Sequence, residues 1–158
     1  MNALLVFLLT LLIGVVAGLR SMTAPAVVAW AAHQHWIDLH ASSLRFMGST
    51  AAVVIFTLLA LGELVVDKLP STPSRTTVAG FVPRIILGAL CGTALAVAGS
   101  QSGVLGGLLG AVGAIVGTFG GYHARRRLVA AVGGRDVVVA ILEDVIAIGG
   151  ALLIVSRF

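Results

Sequence analysis

The chain has 158 residues, of which 59% are hydrophobic and only 10% are charged. Its mean hydropathy is +1.12, and soluble domains carry about 25% charged residues, so the composition excludes a soluble globular protein. The formal net charge is +4, but the basic residues lie in loops and beside apolar runs, as the positive-inside rule describes. We expect an integral membrane protein whose partner is the lipid bilayer and which binds no nucleic acid.

Six apolar segments follow one another, at residues 3–19, 22–37, 46–66, 81–99, 103–121 and 137–155. A crossing needs about 20 residues, so six spans would use the whole chain. Their continuous apolarity favours helices over the alternating pattern of a barrel. The predicted fold is all-α: one integral membrane domain (1–158) that forms a polytopic transmembrane bundle of about six short helices.

The first and second segments need separate treatment. The first begins without Lys or Arg, so it lacks the charged region of a signal peptide and is predicted to be a retained helix. Segment 22–37 is short, contains Pro25 and ends in His33-Gln34-His35-Trp36. It is predicted either to cross as a thin span or to turn back as a re-entrant helix.

The distribution of basic residues predicts the orientation. If all six segments cross, eight of the ten Lys and Arg residues lie on one side. The 67–80 and 122–136 loops are then cytoplasmic in a bacterial inner membrane. The turn-rich 67–80 loop also predicts two three-helix halves, 1–66 and 81–158, which would have inverted topology as in many transporters.

Glycine is frequent, and five glycines of the fifth segment share one helix face: Gly106, Gly110, Gly113, Gly117 and Gly121. Small residues allow helix backbones to approach closely in lipid. Two interpretations remain open, tight packing within one subunit and a homo-oligomeric interface, with a dimer favoured.

Charged residues inside or at the ends of apolar segments form the candidate site. A charge at membrane depth costs about 2.5–3.5 kcal/mol on insertion scales, so such residues usually face a partner, a cavity or a substrate. The candidates for ion or substrate binding are Arg20, Glu63, Asp67, Lys68, Arg84, Glu143 and Asp144.

Helix geometry constrains the carboxylates. Glu63 and Asp67 are one helical turn apart and share a face. Glu143 and Asp144 are adjacent and point in different directions, and Asp136 is predicted to be the N-cap of the sixth segment.

These charges predict a cytoplasm-open vestibule lined by segments three and six, with Arg125–Arg127 at its edge. The alternative is a set of structural ion pairs, for example Arg20 with Glu63 and Arg84 with Glu143. Buried pairs stabilise poorly after desolvation, which favours a site.

Three functions fit, and the spacing selects none of them. The first is a transporter or channel for an ion or a small anionic solute. The second is a metal-dependent enzyme acting on a lipid phosphate, with a divalent cation held by the carboxylates. The third is a non-catalytic lipid-binding scaffold. The sequence has no Gly-x-Ser-x-Gly, no phosphate loop with Gly-Lys-Ser/Thr and no His-Glu-x-x-His, and Ser21 is a weak candidate nucleophile, so an enzyme is disfavoured.

Two other features have simple interpretations. Cys91 is the only cysteine, so it forms no intrachain disulfide and is interpreted as a small packing residue. His33, His35 and His40 lie with Asp38 on the side opposite to the carboxylates, and they are interpreted as a pH-sensitive or solvated loop rather than as a metal site.

Three short stretches carry a family resemblance: Ala17-Gly-Leu-Arg-Ser21, Gly62-Glu-Leu-Val-Val-Asp-Lys-Leu-Pro70 and Leu142-Glu-Asp-Val145. They resemble a family of small bacterial multi-pass membrane proteins catalogued as domain of unknown function 4126. The resemblance spans most of the chain. It implies that Arg20, Glu63, Asp67, Lys68, Glu143 and Asp144 define the site, and it implies no particular ligand.

Overall fold

A computed structural model of the chain describes residues 1–67, 77–131, 133–134 and 136–158. Across these residues the chain forms six α-helices, one short 3-10 helix (Ser43–Gly48) and no strand. The α-helices are α1 (Ala3–Leu19), α2 (Thr23–His33), α3 (Thr50–Val66), α4 (Val78–Ala98), α5 (Gly103–Ala131) and α6 (Asp136–Val155). The predicted all-α membrane bundle is confirmed.

The helices differ in their capacity to cross a bilayer. Within the described ranges, α4, α5 and α6 are long and apolar enough to span it. α1 and α3 have 17 residues each, or about 25 Å at 1.5 Å per residue. α2 has 11 residues, or about 16 Å, which is shorter than the roughly 30 Å hydrocarbon core. α2 therefore covers only part of the membrane depth.

Two predicted boundaries are wrong. The helix within segment 22–37 ends at His33, and α5 continues to Ala131, so residues 122–131 are helical rather than part of a loop. α5 continues past its apolar run because arginine and alanine are good helix formers. The arginine side chains are also long enough for their charges to reach water beyond the membrane. Gly133 and Gly134 then adopt φ values of +70° and +83°, which glycine permits at low cost.

Glycines join α1, α4 and α5 into the most tightly packed part of the bundle. A methyl group added at Gly110 would lie 2.1 Å from the carbonyl oxygen of Gly88, and one added at Gly14 would lie 2.1 Å from that of Gly110. Such distances leave no room for a side chain, so the backbones are in direct contact. The glycine face of α5 thus packs within the subunit, which is the first of the two interpretations.

The contacts also give the helix directions. Gly14 and Gly18 of α1 meet Gly110 and Ala114 of α5 in the same order along both helices, so α1 and α5 are parallel. α4 meets α5 in the opposite order and is antiparallel to it. The C-terminal ends of α1 and α5 and the N-terminal end of α4 therefore lie at the same end of the bundle. We call this the inner end.

The short helix α2 is enclosed by its neighbours. Nine of its 11 residues are buried, against α3, α6, the 3-10 helix, α4 and α1. α3 is different: only Ala52 and Val53 are buried, and its main contacts within the described chain are with α2 and the 3-10 helix. α3 is consequently the helix held by the fewest apolar contacts.

The connection between α1 and α2 lies inside the bundle. Thr118 donates its hydroxyl hydrogen to the carbonyl oxygen of Gly18 at 3.3 Å, and α5 continues for 13 further residues to Ala131, or about 20 Å. The helical path of α1 ends at Leu19, and Arg20 adopts an extended backbone with φ −138° and ψ 108°. The break between α1 and α2 therefore lies within the bundle, about 20 Å along α5 from the C-terminal end of that helix.

Candidate functional site

Arg20 lies at the break between α1 and α2 and is completely buried, with 0% of its surface exposed. Its Nη1 donates a hydrogen bond to Asp67 at the end of α3. Its Nη2 forms an ion pair with Asp144 of α6. One guanidinium thus connects the ends of two helices that come from different halves of the chain.

Glu63 accepts hydrogen bonds from the start of the α2 region. Its Oε1 accepts from the backbone N–H of Ser21 at 2.8 Å and from the Ser21 hydroxyl at 2.6 Å, and its Oε2 accepts from the N–H of Met22 at 2.9 Å. These donors precede the first turn of α2, where free N–H groups and the helix dipole favour a negative charge. Glu63 therefore stabilises the break as a side-chain cap supplied by another helix.

Two further arginines surround this centre. The Nη2 of Arg84 lies 3.6 Å from Oε1 of Glu63, and its Nη1 donates to the carbonyl oxygen of Gly80 at 2.6 Å. Arg125 of α5 donates to both carboxylate oxygens of Asp136, at 3.0 and 2.8 Å, and to Glu143 at 3.4 Å. The result is a network of arginines and carboxylates contributed by the α1–α2 break, α3, α4, α5 and α6.

Six of the seven candidate residues from the sequence meet in this network: Arg20, Glu63, Asp67, Arg84, Glu143 and Asp144. Lys68 lies outside the described residues. Their convergence does not itself assign a ligand, and their role in binding stays a prediction.

The two ion pairs named from the sequence differ from those in the structure. Arg20 contacts Asp67 and Asp144 rather than Glu63, because its side chain extends from the break toward α6 while the neighbouring backbone occupies Glu63. Arg84 contacts Glu63, and Glu143 contacts Arg125. Adjacent residues Glu143 and Asp144 point toward different arginines, as their positions on one helix require.

Two residues have contacts that the sequence does not predict. Ser21, a weak candidate nucleophile by sequence, donates its N–H and its hydroxyl hydrogen to Glu63. Arg125, predicted at the edge of a vestibule, holds Asp136 and Glu143 together. Asp136 is the first residue of α6, so its carboxylate joins α6 to α5. The contact between Arg125 and Asp136 depends on the extension of α5 past residue 121. The apolar pattern, which ends at that residue, does not predict this extension.

A cavity of about 100 Å³ adjoins the network between α1, α5 and α6. Its walls are mainly apolar, and Arg125 and Glu143 supply the polar part. α5 and α6 contact each other only sparsely, so this cavity follows a loosely packed seam beside the charged residues.

The arrangement does not favour a metal centre. In the part of the chain that the structure describes, no group of three or more His, Cys, Asp or Glu side chains is placed to hold a metal ion. The carboxylates instead contact guanidinium or backbone N–H groups, which already supply their electrostatic partners.

The sequence matches the profile of a known family over residues 7–156, the domain of unknown function DUF4126. The chain belongs to this family. No curated protein and no solved structure matches it. Membership of DUF4126 supports a membrane protein and assigns no activity.

Proposed function

We propose that this DUF4126 protein is a small transporter for an ion or a small anionic solute, and that Arg20 is its central binding residue. The main support is the state of Arg20: it is 0% exposed, and its Nε has no hydrogen-bond partner among the described residues. A fully buried guanidinium with an unused donor is costly unless another group contacts it at some stage. An anionic solute would supply that group.

The proposed mechanism is an exchange of partners at Arg20. Asp67 and Asp144 occupy its two terminal nitrogens, so an anion that binds Nε together with one terminal nitrogen displaces one of these carboxylates. Protonation of the displaced carboxylate would remove its buried negative charge and lower the cost of the exchange. Anion and proton would then move together.

α3 is proposed as the moving element. Its apolar contacts are few, whereas its inner end is held by Glu63 and Asp67 through hydrogen bonds and ion pairs. Weakening the Arg20–Asp67 contact would release this end. The tightly packed α1, α4 and α5 would stay fixed, as one bundle does in transporters that rock around a central site.

The other two functions are less well supported. A metal-dependent enzyme acting on a lipid phosphate would hold its divalent cation through several oxygen ligands, and among the described residues no such group is placed. A lipid-binding scaffold with purely structural charges would leave the unused donor of Arg20 without a role.

The proposal includes a cellular setting. Eight of ten basic residues fall on one side if all segments cross, and seven if the second segment turns back; either distribution supports a bacterial inner-membrane protein with its 67–80 and 122–136 regions in the cytoplasm. A homodimer is proposed to form through α3, since a Cβ atom added at Gly62 would have no atom of the described residues within 4 Å and small residues favour close helix approach.

Flux in proteoliposomes tests the proposal. Vesicles containing a pH-sensitive dye would be exposed to gradients of chloride, nitrate, phosphate, sulfate and small carboxylates. We expect at least one anion to drive proton movement. We expect Arg20→Lys to reduce it at least about tenfold, because one ammonium group replaces the planar fork and loses a charged hydrogen bond worth more than about 1.4 kcal/mol.

Arg157→Lys is the matched control, since Arg157 is exposed near the end of α6, away from the network. It should transport like the original protein. The proposal fails if no ion or solute gradient produces flux above empty vesicles. It also fails if Arg20→Lys elutes as a folded protein and transports normally.

A further inference from the structure

A second polar region lies at the opposite end of α2. A pocket of about 210 Å³ is lined by Ala32, His33, His35, Leu39, His40, Arg45, Gly48 and Ser49. Four of these eight residues are basic or become so on protonation, and none of the lining side chains in this described region is a carboxylate.

The imidazoles of the pocket are held in place. The rings of His35 and His40 stack with centroids 5.3 Å apart and an interplanar angle of 28°. The Nδ1 of His33 lies 2.9 Å from the carbonyl oxygen of Gly48, which requires a hydrogen on Nδ1. Asp38, the nearest acidic residue in sequence, accepts a hydrogen bond from the backbone N–H of His40 at 2.9 Å.

The backbone of His35 provides an independent observation. His35 has a φ of +62° at the position after the end of α2, and the N–H groups of His35 and Trp36 bond back to Ala32 and Ala31. This is the left-handed cap that glycine usually occupies. This cap fixes the place of the His35 imidazole beside the other histidines, in a backbone conformation where glycine would cost less.

The charge of the pocket determines the class of ligand. Arg45 disfavours a cation, and no group of metal ligands is present among the described residues. Imidazole N–H groups and a guanidinium are donors that suit a tetrahedral oxyanion. We propose that this pocket binds a small oxyanion of the phosphate or sulfate class, either free or as a lipid head group. The site is separate from Arg20, and equilibrium binding tests it without any transport measurement.

The experiment is a titration of the full chain, with isotope-labelled histidine, with inorganic phosphate. The detergent is a maltoside, which contains no phosphate, and the measured quantity is the NMR chemical shift of each imidazole. The chain has four histidines, and His123 lies in another basic pocket, beside Arg126 and Arg127, so its signal is not used as a reference. We expect saturable shifts for His33, His35 and His40. If only phosphatidylglycerol produces the same shifts, the ligand is a head group, and this also supports an oxyanion site.

Two glycine variants make the test specific. His35→Gly removes the imidazole and relieves the positive φ, so it should fold at least as well and weaken binding at least about tenfold. Ser100→Gly is the matched control, because Ser100 has a φ of +56° at the equivalent position after α4, and it should bind normally. The inference is wrong if neither phosphate nor the lipid shifts the three histidines, or if His35→Gly binds like the original protein.

Discussion

Glu63 is held by several interactions at the break between α1 and α2. It accepts three hydrogen bonds at 2.6–2.9 Å from Ser21 and Met22 and lies 3.6 Å from Arg84. Its side chain is only 10% exposed, so these contacts are poorly screened by water. Glu63 therefore has a structural role at the break whether or not a solute binds beside it.

The substitution Glu63→Gln tests this role. It removes the charge that faces the N-terminal end of α2 and replaces one acceptor oxygen with a donor group. We expect a loss of about 2 kcal/mol, the usual value for hydrogen bonds to a charged group. The measurement is the temperature of aggregation in detergent.

Asp38→Asn makes the same chemical change at an exposed carboxylate with one backbone hydrogen bond, and it should leave that temperature nearly unchanged. Equal effects of the two substitutions would contradict the capping role of Glu63.

Individual residues also show the extent of sequence-based prediction. A charge in an apolar run is costly wherever it lies, so Arg20, Glu63 and Asp144 could be selected without a structure. Their partners could not, because pairing depends on where the helices end. The contact of Arg125 with Asp136 requires α5 to continue to Ala131, and hydropathy alone ended that helix at residue 121.

At the scale of helices, the packing of α1, α4 and α5 depends on glycine. Gly110→Ala would place a methyl carbon 2.1 Å from the carbonyl oxygen of Gly88, and a backbone atom in a helix cannot move aside cheaply. We expect a destabilisation of about 3 kcal/mol, at the upper end of ordinary overpacking. Thermal unfolding in detergent would measure it.

Gly120→Ala in the same helix is the control. Nothing lies within 4 Å of the added methyl group, so the better helix propensity of alanine should stabilise α5 by up to about 1 kcal/mol. If both variants lost stability equally, the backbone contact between α4 and α5 would not be the cause.

Hydropathy does not predict the length of α2. The apolar pattern continues to residue 37, but the helix ends at His33 because His35 adopts a left-handed conformation. A histidine at that position gives no local stop signal of the kind that glycine or proline gives. The short helix became apparent only from the backbone.

For the whole molecule, the orientation is open to direct measurement. In a Cys91→Ala background, cysteines placed at positions 127 and 157 should react with membrane-impermeant maleimide from opposite sides of the membrane. Position 127 lies in the inner part of α5 and position 157 beyond α6, so one crossing separates them. We expect position 157 to be labelled in intact cells and position 127 only after lysis.

The original Cys91 is a suitable negative control, since it is completely buried. Labelling of position 127 in intact cells would contradict the proposed cytoplasmic placement of this region.

The contact between α1 and α5 has a consequence for synthesis. Gly18 meets Thr118, which follows it by 100 residues. At about 5–20 residues per second, α1 waits roughly 5–20 s in the membrane before its partner helix is made. During that interval the glycine face of α1 is covered only by lipid or by an insertion factor. A cell that lacked such a factor should degrade newly made chains in which α5 is delayed or truncated.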